Sequence, residues 1–152
     1  MTTGYVVTEI GYEYNDEIYY QSESGGGTPV KVFLDKAKAQ AEVDKMNLEA
    51  LIGCEIGSYA YDFSDIVSDE DAFMKIIKKY VKKEDEVDLE DGYELGEWFS
   101  ANANKFSQSD QKKIAKLVSL EFFTLTEVEI DDSILPPQTE VKEKKKFSNL
   151  ED

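Results

Sequence analysis

The 152-residue chain has no histidine, no arginine and a single cysteine, Cys54. Each absence removes a class of chemistry. Without histidine there is no Ser-His-Asp triad, no Cys-His pair, no imidazole general base and no imidazole metal ligand. One thiol closes no intramolecular disulfide and builds no thiolate zinc site. Without arginine there is no bidentate fork for phosphate or carboxylate. An enzyme of this composition would have to rely on carboxylates, Lys, Tyr, Ser/Thr or a carboxylate-bound metal. No apolar run approaches transmembrane length. The opening Met1-Thr2-Thr3-Gly4-Tyr5 lacks the basic and apolar regions of a signal peptide. A cytoplasmic location is therefore expected.

Acid is what the chain has in excess. Thirty-three Asp and Glu face seventeen basic residues, all Lys, for a formal net charge of −16. That balance disfavours direct binding to nucleic-acid backbones and to anionic membrane surfaces. The excess is spread along the chain. Residues 1–67 hold four Lys and twelve acids, residues 68–107 six and eleven, and residues 108–152 seven and ten. Hydrophobic residues make up 41%, enough for one ordinary core without metals or disulfides.

Hydrophobic periodicity divides the chain. Residues 5–14 alternate, with Val6, Thr8, Ile10, Tyr12 and Tyr14 on one face, as in a half-buried strand. Asn15-Asp16-Glu17 reads as a turn and residues 18–23 as the returning strand. Ser24-Gly25-Gly26-Gly27-Thr28-Pro29 reads as a loop, and Val30–Leu34 as a short extended segment. Asp35 is placed to cap a helix over 36–52, with Ala39, Val43, Met46 and Ala50 as its apolar stripe. Residues 53–67 fit either a short strand or an ordered loop. Ser68 is placed to cap a helix over 69–83, and further helices are expected near 93–105 and 109–119. Residues 122–130 return to strand composition. Residues 131–152 are polar, carry Pro136-Pro137 and a Lys-rich run at 142–146, and read as a largely disordered tail.

The opening segment, YVVTEIGYEYNDEIYY, a Gly-rich loop and KVFLDKAKAQAEVDKMN, resembles small bacterial and phage-associated proteins of unknown function. Those begin with a β-hairpin, a Val-Phe segment and an Ala-rich helix ending in Asn. The similarity covers about the first third of the chain and includes no catalytic motif. It implies how the fold starts and no activity.

The expected architecture is a single α+β domain over 1–131, followed by the tail at 132–152. An antiparallel sheet of three to four strands would join the N-terminal hairpin to the C-terminal strand, with about four helices on one face.

Candidate chemistry is sparse. Residues 84–97 hold eight carboxylates and no Lys, which raises a Ca²⁺ or Mg²⁺ site with Glu86, Asp88 and Asp91 as weak candidates. An EF-hand loop aligned on Gly92 fails, because Val87, Leu89 and Trp98 would occupy ligand positions. The acids otherwise read as a solvated linker that favours the next helix start. The Gly-rich loop lacks the Gly-Lys-Ser/Thr of a phosphate-binding P-loop. Trp98 and Phe99 read as core and Cys54 as a small apolar filler.

Tyrosine is uneven: five of nine lie in the first twenty residues. A two-faced hairpin cannot bury them all, and Tyr is enriched at protein interfaces. The favoured expectation is therefore a non-catalytic protein-interaction module without a cofactor, with Tyr12, Tyr14, Tyr19 and Tyr20 as recognition residues. One alternative is an acidic mimic of nucleic acid that occupies the groove of a DNA-binding protein. A second is a carboxylate- and metal-dependent enzyme.

Overall fold

The computed structural model describes residues 1–22, 27–131 and 133. The tail expected over 132–152 lies, Ser133 apart, outside the described residues. Four strands come first: β1 (Thr2–Glu9), β2 (Tyr12–Tyr14), β3 (Tyr19–Gln21) and β4 (Thr28–Phe33). Four helices follow: α1 (Lys36–Gly53), α2 (Glu70–Ile77), α3 (Gly92–Asn102) and α4 (Gln108–Leu117). Strand β5 (Phe123–Ile130) closes the described fold.

The chain is α+β, as expected. Strand β1 lies centrally in a three-stranded antiparallel sheet of order β4-β1-β5. The C-terminal strand thus pairs with the N-terminal one, and the third strand is the short segment before α1. Strands β2 and β3 form a separate two-stranded ribbon. The single strand read over residues 5–14 is broken, and the count of residues explains why. Two residues, Ile10 and Gly11, separate β1 from β2, whereas six, 22–27, separate β3 from β4. Pairing cannot stay in register across that mismatch. At the break, Ile10 N–H instead donates to the carbonyl of Phe122 at 2.8 Å, tying the ribbon to the start of β5.

Helix α1 lies on one sheet face. Val7 of β1 and Ala39 and Val43 of α1 are buried between them. Ion pairs at the rim join the same elements: Lys31 with Glu42 at 2.7 Å and Lys36 with Glu127 at 3.3 Å. The opposite face carries Gly4, Val6 and Thr8 beside Val32, Thr124, Thr126 and Val128, and none of these is charged. Asp35 caps α1 as expected, accepting from Lys38 N–H at 3.1 Å.

The larger core lies among the other helices. Phe63, Phe73, Ile77, Phe99 and Ile114 are almost wholly buried there. Residues 53–67 resolve as an ordered loop with 3₁₀ turns at Ile56–Ser58 and Phe63–Ile66. These turns insert Ile56 and Phe63 into that core. Gly92 begins α3 where a Cβ would run into the Asp62 side chain and its Cα, so the helix start packs directly on the loop.

Helix α2 is shorter than its periodicity suggests, and Asp69 rather than Ser68 caps it, accepting from Ala72 N–H at 3.1 Å. Ser68 is used elsewhere: its N–H and hydroxyl both donate to the carbonyl of Leu117. After Ile77 the amides of Lys79 and Tyr80 donate three residues back, to Ile76 and Ile77. That tight turn ends the helix. It brings the Tyr80 ring onto Phe106, with centroids 4.1 Å apart, and its hydroxyl to Asp110 at 2.5 Å.

Candidate functional site

The ribbon's geometry dictates which tyrosines meet. Side chains two apart on a strand share a face, as do directly opposed residues. Tyr12 and Tyr14 are two apart on β2, and Tyr14 opposes Tyr19. All three therefore share one face. Tyr20 opposes Glu13 and lies on the other. There its hydroxyl donates to the Glu13 carboxylate at 3.0 Å, and Ser22 Oγ donates to the same carboxylate at 2.9 Å. Of the four expected recognition residues, the structure brings three together and leaves Tyr20 apart.

The turn that sets this register is built by Asn15. Its side-chain oxygen accepts from the amides of Glu17 and Ile18, at 3.0 and 2.8 Å. Asp16 takes the left-handed conformation, φ 72°, which Asp tolerates better than most residues.

The three tyrosines continue into residues whose role the sequence did not reveal. Tyr14 stacks on Tyr19 at 5.0 Å, and Tyr19 stacks on Tyr59 at 5.3 Å. The Tyr59 ring meets Tyr12 and Phe122 edge-on, each at 5.2 Å. The result is a ladder, with an anchored foot and an open end. At the foot, the Tyr12 hydroxyl donates to the carbonyl of Glu121 at 2.6 Å. Asn47 of α1 accepts from the amides of Phe122 and Phe123 at 2.8 Å each and donates to the carbonyl of Phe123 at 3.0 Å. At the open end, Tyr14 is 55% exposed and Tyr19 38%. Tyr61, 52% exposed, donates its hydroxyl to Glu17 at 2.7 Å. The available signal for Tyr59 and Tyr61 was their apolar density in an otherwise ambiguous loop. Nothing in the sequence paired that loop with the hairpin.

Burial raises the hydroxyl pKa of Tyr12 and Tyr59. Hydrogen bonds to carboxylates raise those of Tyr20 and Tyr61. These hydroxyls stay protonated at neutral pH and act as hydrogen-bond donors and apolar faces, not as phenolate nucleophiles.

The metal candidates do not converge. Asp91 caps α3, accepting from the amides of Tyr93 and Glu94 at 3.0 and 3.2 Å. Asp88 accepts from Glu90 N–H at 3.0 Å. Glu86 is exposed in a left-handed turn, φ 50°. Among the described residues no three His, Cys, Asp or Glu side chains gather as a metal site. The Cys54 thiol is part-buried, donates to the carbonyl of Leu51 at 3.3 Å and is pushed up to about 11 by that burial, which leaves it protonated and unreactive.

One open groove of about 1380 Å³ runs between α1 and α4. Its lining balances Asp44, Glu49 and Glu121 against Lys45, Lys112 and Lys116. No described helix is long and apolar enough to cross a membrane. No family model, curated protein or solved structure matches the chain.

Proposed function

We propose that this protein is a non-catalytic interaction module that contacts a protein partner through the Tyr14–Tyr19–Tyr59 ladder. The observation that carries the reading is the stacked pair Tyr14 and Tyr19, held in place yet left largely open to solvent. Exposed rings in fixed positions offer contact area at little entropic cost, the property that enriches Tyr at interfaces. Tyr12 is the half-buried support of this surface, and Tyr20 lies outside it. The acids give less support to mimicry of nucleic acid. Asp35, Asp62, Asp69, Asp85, Asp88 and Asp91 each accept backbone amide bonds at helix starts or turns, so these six serve local structure.

The test compares wild type with Tyr14→Ser/Tyr19→Ser as bait in a pull-down from source lysate, with circular dichroism as the control for folding. A partner retained by wild type and lost by a folded variant supports the reading. Identical recoveries from the two baits would refute it.

A further inference from the structure

Resting on that reading, we infer that the partner docks through a cationic segment, with Arg or Lys side chains against the open end of the tyrosine ladder. Three stretches of chain build the ladder and its rim: residues 11–22, 54–62 and 118–123. Together they contain Glu13, Asp16, Glu17, Glu55, Asp62 and Glu121 and not one Lys. The α1–α4 groove differs: apart from Glu121, which it shares with the foot of the ladder, it sets Lys45, Lys112 and Lys116 against Asp44 and Glu49. Among the described residues, the carboxylates acting on the Tyr20 and Tyr61 hydroxyls, Glu13 and Glu17, raise their pKa, and no Lys offsets them.

The chemistry of the rings points the same way. An aromatic face is electron-rich and attracts a guanidinium or ammonium group within about 6 Å of its centroid. Tyr14 ends the stack and is the most exposed member of the ladder. Glu17 is held near it by the Tyr61 hydroxyl. A flat cation laid on Tyr14 would therefore meet a ring face and a carboxylate together. Arg suits this better than Lys, because its planar group stacks on a ring and still donates from its edge. An acidic or phosphorylated partner would meet Asp16 and Glu17 in the turn beside Tyr14, with no Lys in any of the three stretches.

The experiment is fluorescence anisotropy of a labelled Arg-Gly-Gly repeat peptide, with the matching Gln-Gly-Gly repeat as control, titrated with the full chain at low ionic strength. Wild type should bind the Arg peptide and not the Gln peptide. Each exposed cation–π contact contributes about a factor of two to five, so Tyr14→Ser/Tyr19→Ser should weaken binding about tenfold. If that variant loses its fold, Tyr14→Leu reads the same effect, because it keeps an apolar strand residue and removes only the ring face. Asp16→Asn/Glu17→Gln should weaken binding several-fold, and the equally neutralising Glu84→Gln/Glu90→Gln by less than about twofold. Equal losses from the two acid pairs would reduce the effect to net charge and overturn the inference, as would equal binding of the two peptides. Lys142→Gln/Lys144→Gln/Lys145→Gln/Lys146→Gln tests the chain's own basic run as the occupant. Unchanged affinity supports a separate partner, and a gain of about tenfold would give the site to that run instead. A lysate partner that still depends on Tyr14 and Tyr19, beside an Arg peptide that does not bind, would remove the cationic inference and leave the interaction module standing.

Discussion

Two regions of this molecule set aromatic rings among a high density of acids, and they use them in opposite ways. In the segment leading into α3, the three aspartates, Asp85, Asp88 and Asp91, are taken up by structure. Asp85 accepts from Lys82 N–H at 2.7 Å and from the Trp98 indole at 3.1 Å, and Asp91 caps the helix. Trp98 itself is buried beside Phe106. At the ribbon end the rings stack outward, and Glu17 is held by a tyrosine hydroxyl rather than by a backbone amide. The first region has the greater acid density in sequence and the weaker claim to function. What separates the two is whether the fold has already used the aromatic faces and the carboxylates.

Substitutions should sharpen that contrast. The largest effect is expected from Trp98→Ala, which removes a buried indole from the helical core and should cost about 3–5 kcal/mol in urea unfolding. Asn47→Ala leaves the amides of Phe122 and Phe123 without their acceptor and should cost about 1–3 kcal/mol. It should also loosen the foot of the ladder, visible as faster hydrogen exchange at Phe122 and Phe123. Asp91→Ala removes only a helix cap and should cost about 1 kcal/mol. Acid should act on the structural carboxylates. The Lys82 amide and then the Trp98 indole hold the Asp85 pKa below the usual range, and the Tyr80 hydroxyl chiefly does so for Asp110. A depressed carboxylate pKa stabilises the fold above the ordinary Asp range, and that stabilisation is lost as pH falls through the folded-state value. The thermal midpoint should therefore drop toward low pH, and Asp110→Asn should flatten that drop. The smallest effect on stability, within about 1 kcal/mol, is expected from Tyr14→Ser at the open end.

The helical half of the fold was more legible in the sequence than the ribbon. Asp35, the stripe of α1 and the buried Trp98–Phe99 pair follow from local spacing, which a single chain segment carries by itself. The shortfall in α2 came from Tyr80, whose contacts with Phe106 and Asp110 lie 26 and 30 residues away; periodicity holds no information about such a pull. The Tyr-rich hairpin was legible for the same local reason as α1. Its split into two faces required the register that Asn15 sets, and alternation placed Tyr20 on a different face from Tyr19. Tyr59 and Phe122 were not legible as site members. Phe122 reaches the ribbon because β5 returns beside β1 and Asn47 fastens its start, and Tyr59 reaches it from the end of the 3₁₀ turn at Ile56–Ser58. Each long-range contact that completes the ladder is made by a residue that looks ordinary in its own neighbourhood.

Tyr14 and Tyr19 are expected to serve recognition and not folding. The most direct measurement takes one preparation of Tyr14→Ser/Tyr19→Ser through both urea unfolding and partner capture beside wild type. Nearly unchanged unfolding and loss of the captured partner are expected. A variant that unfolds several kcal/mol more easily, or one that is equally stable and still retains the partner, would contradict that expectation.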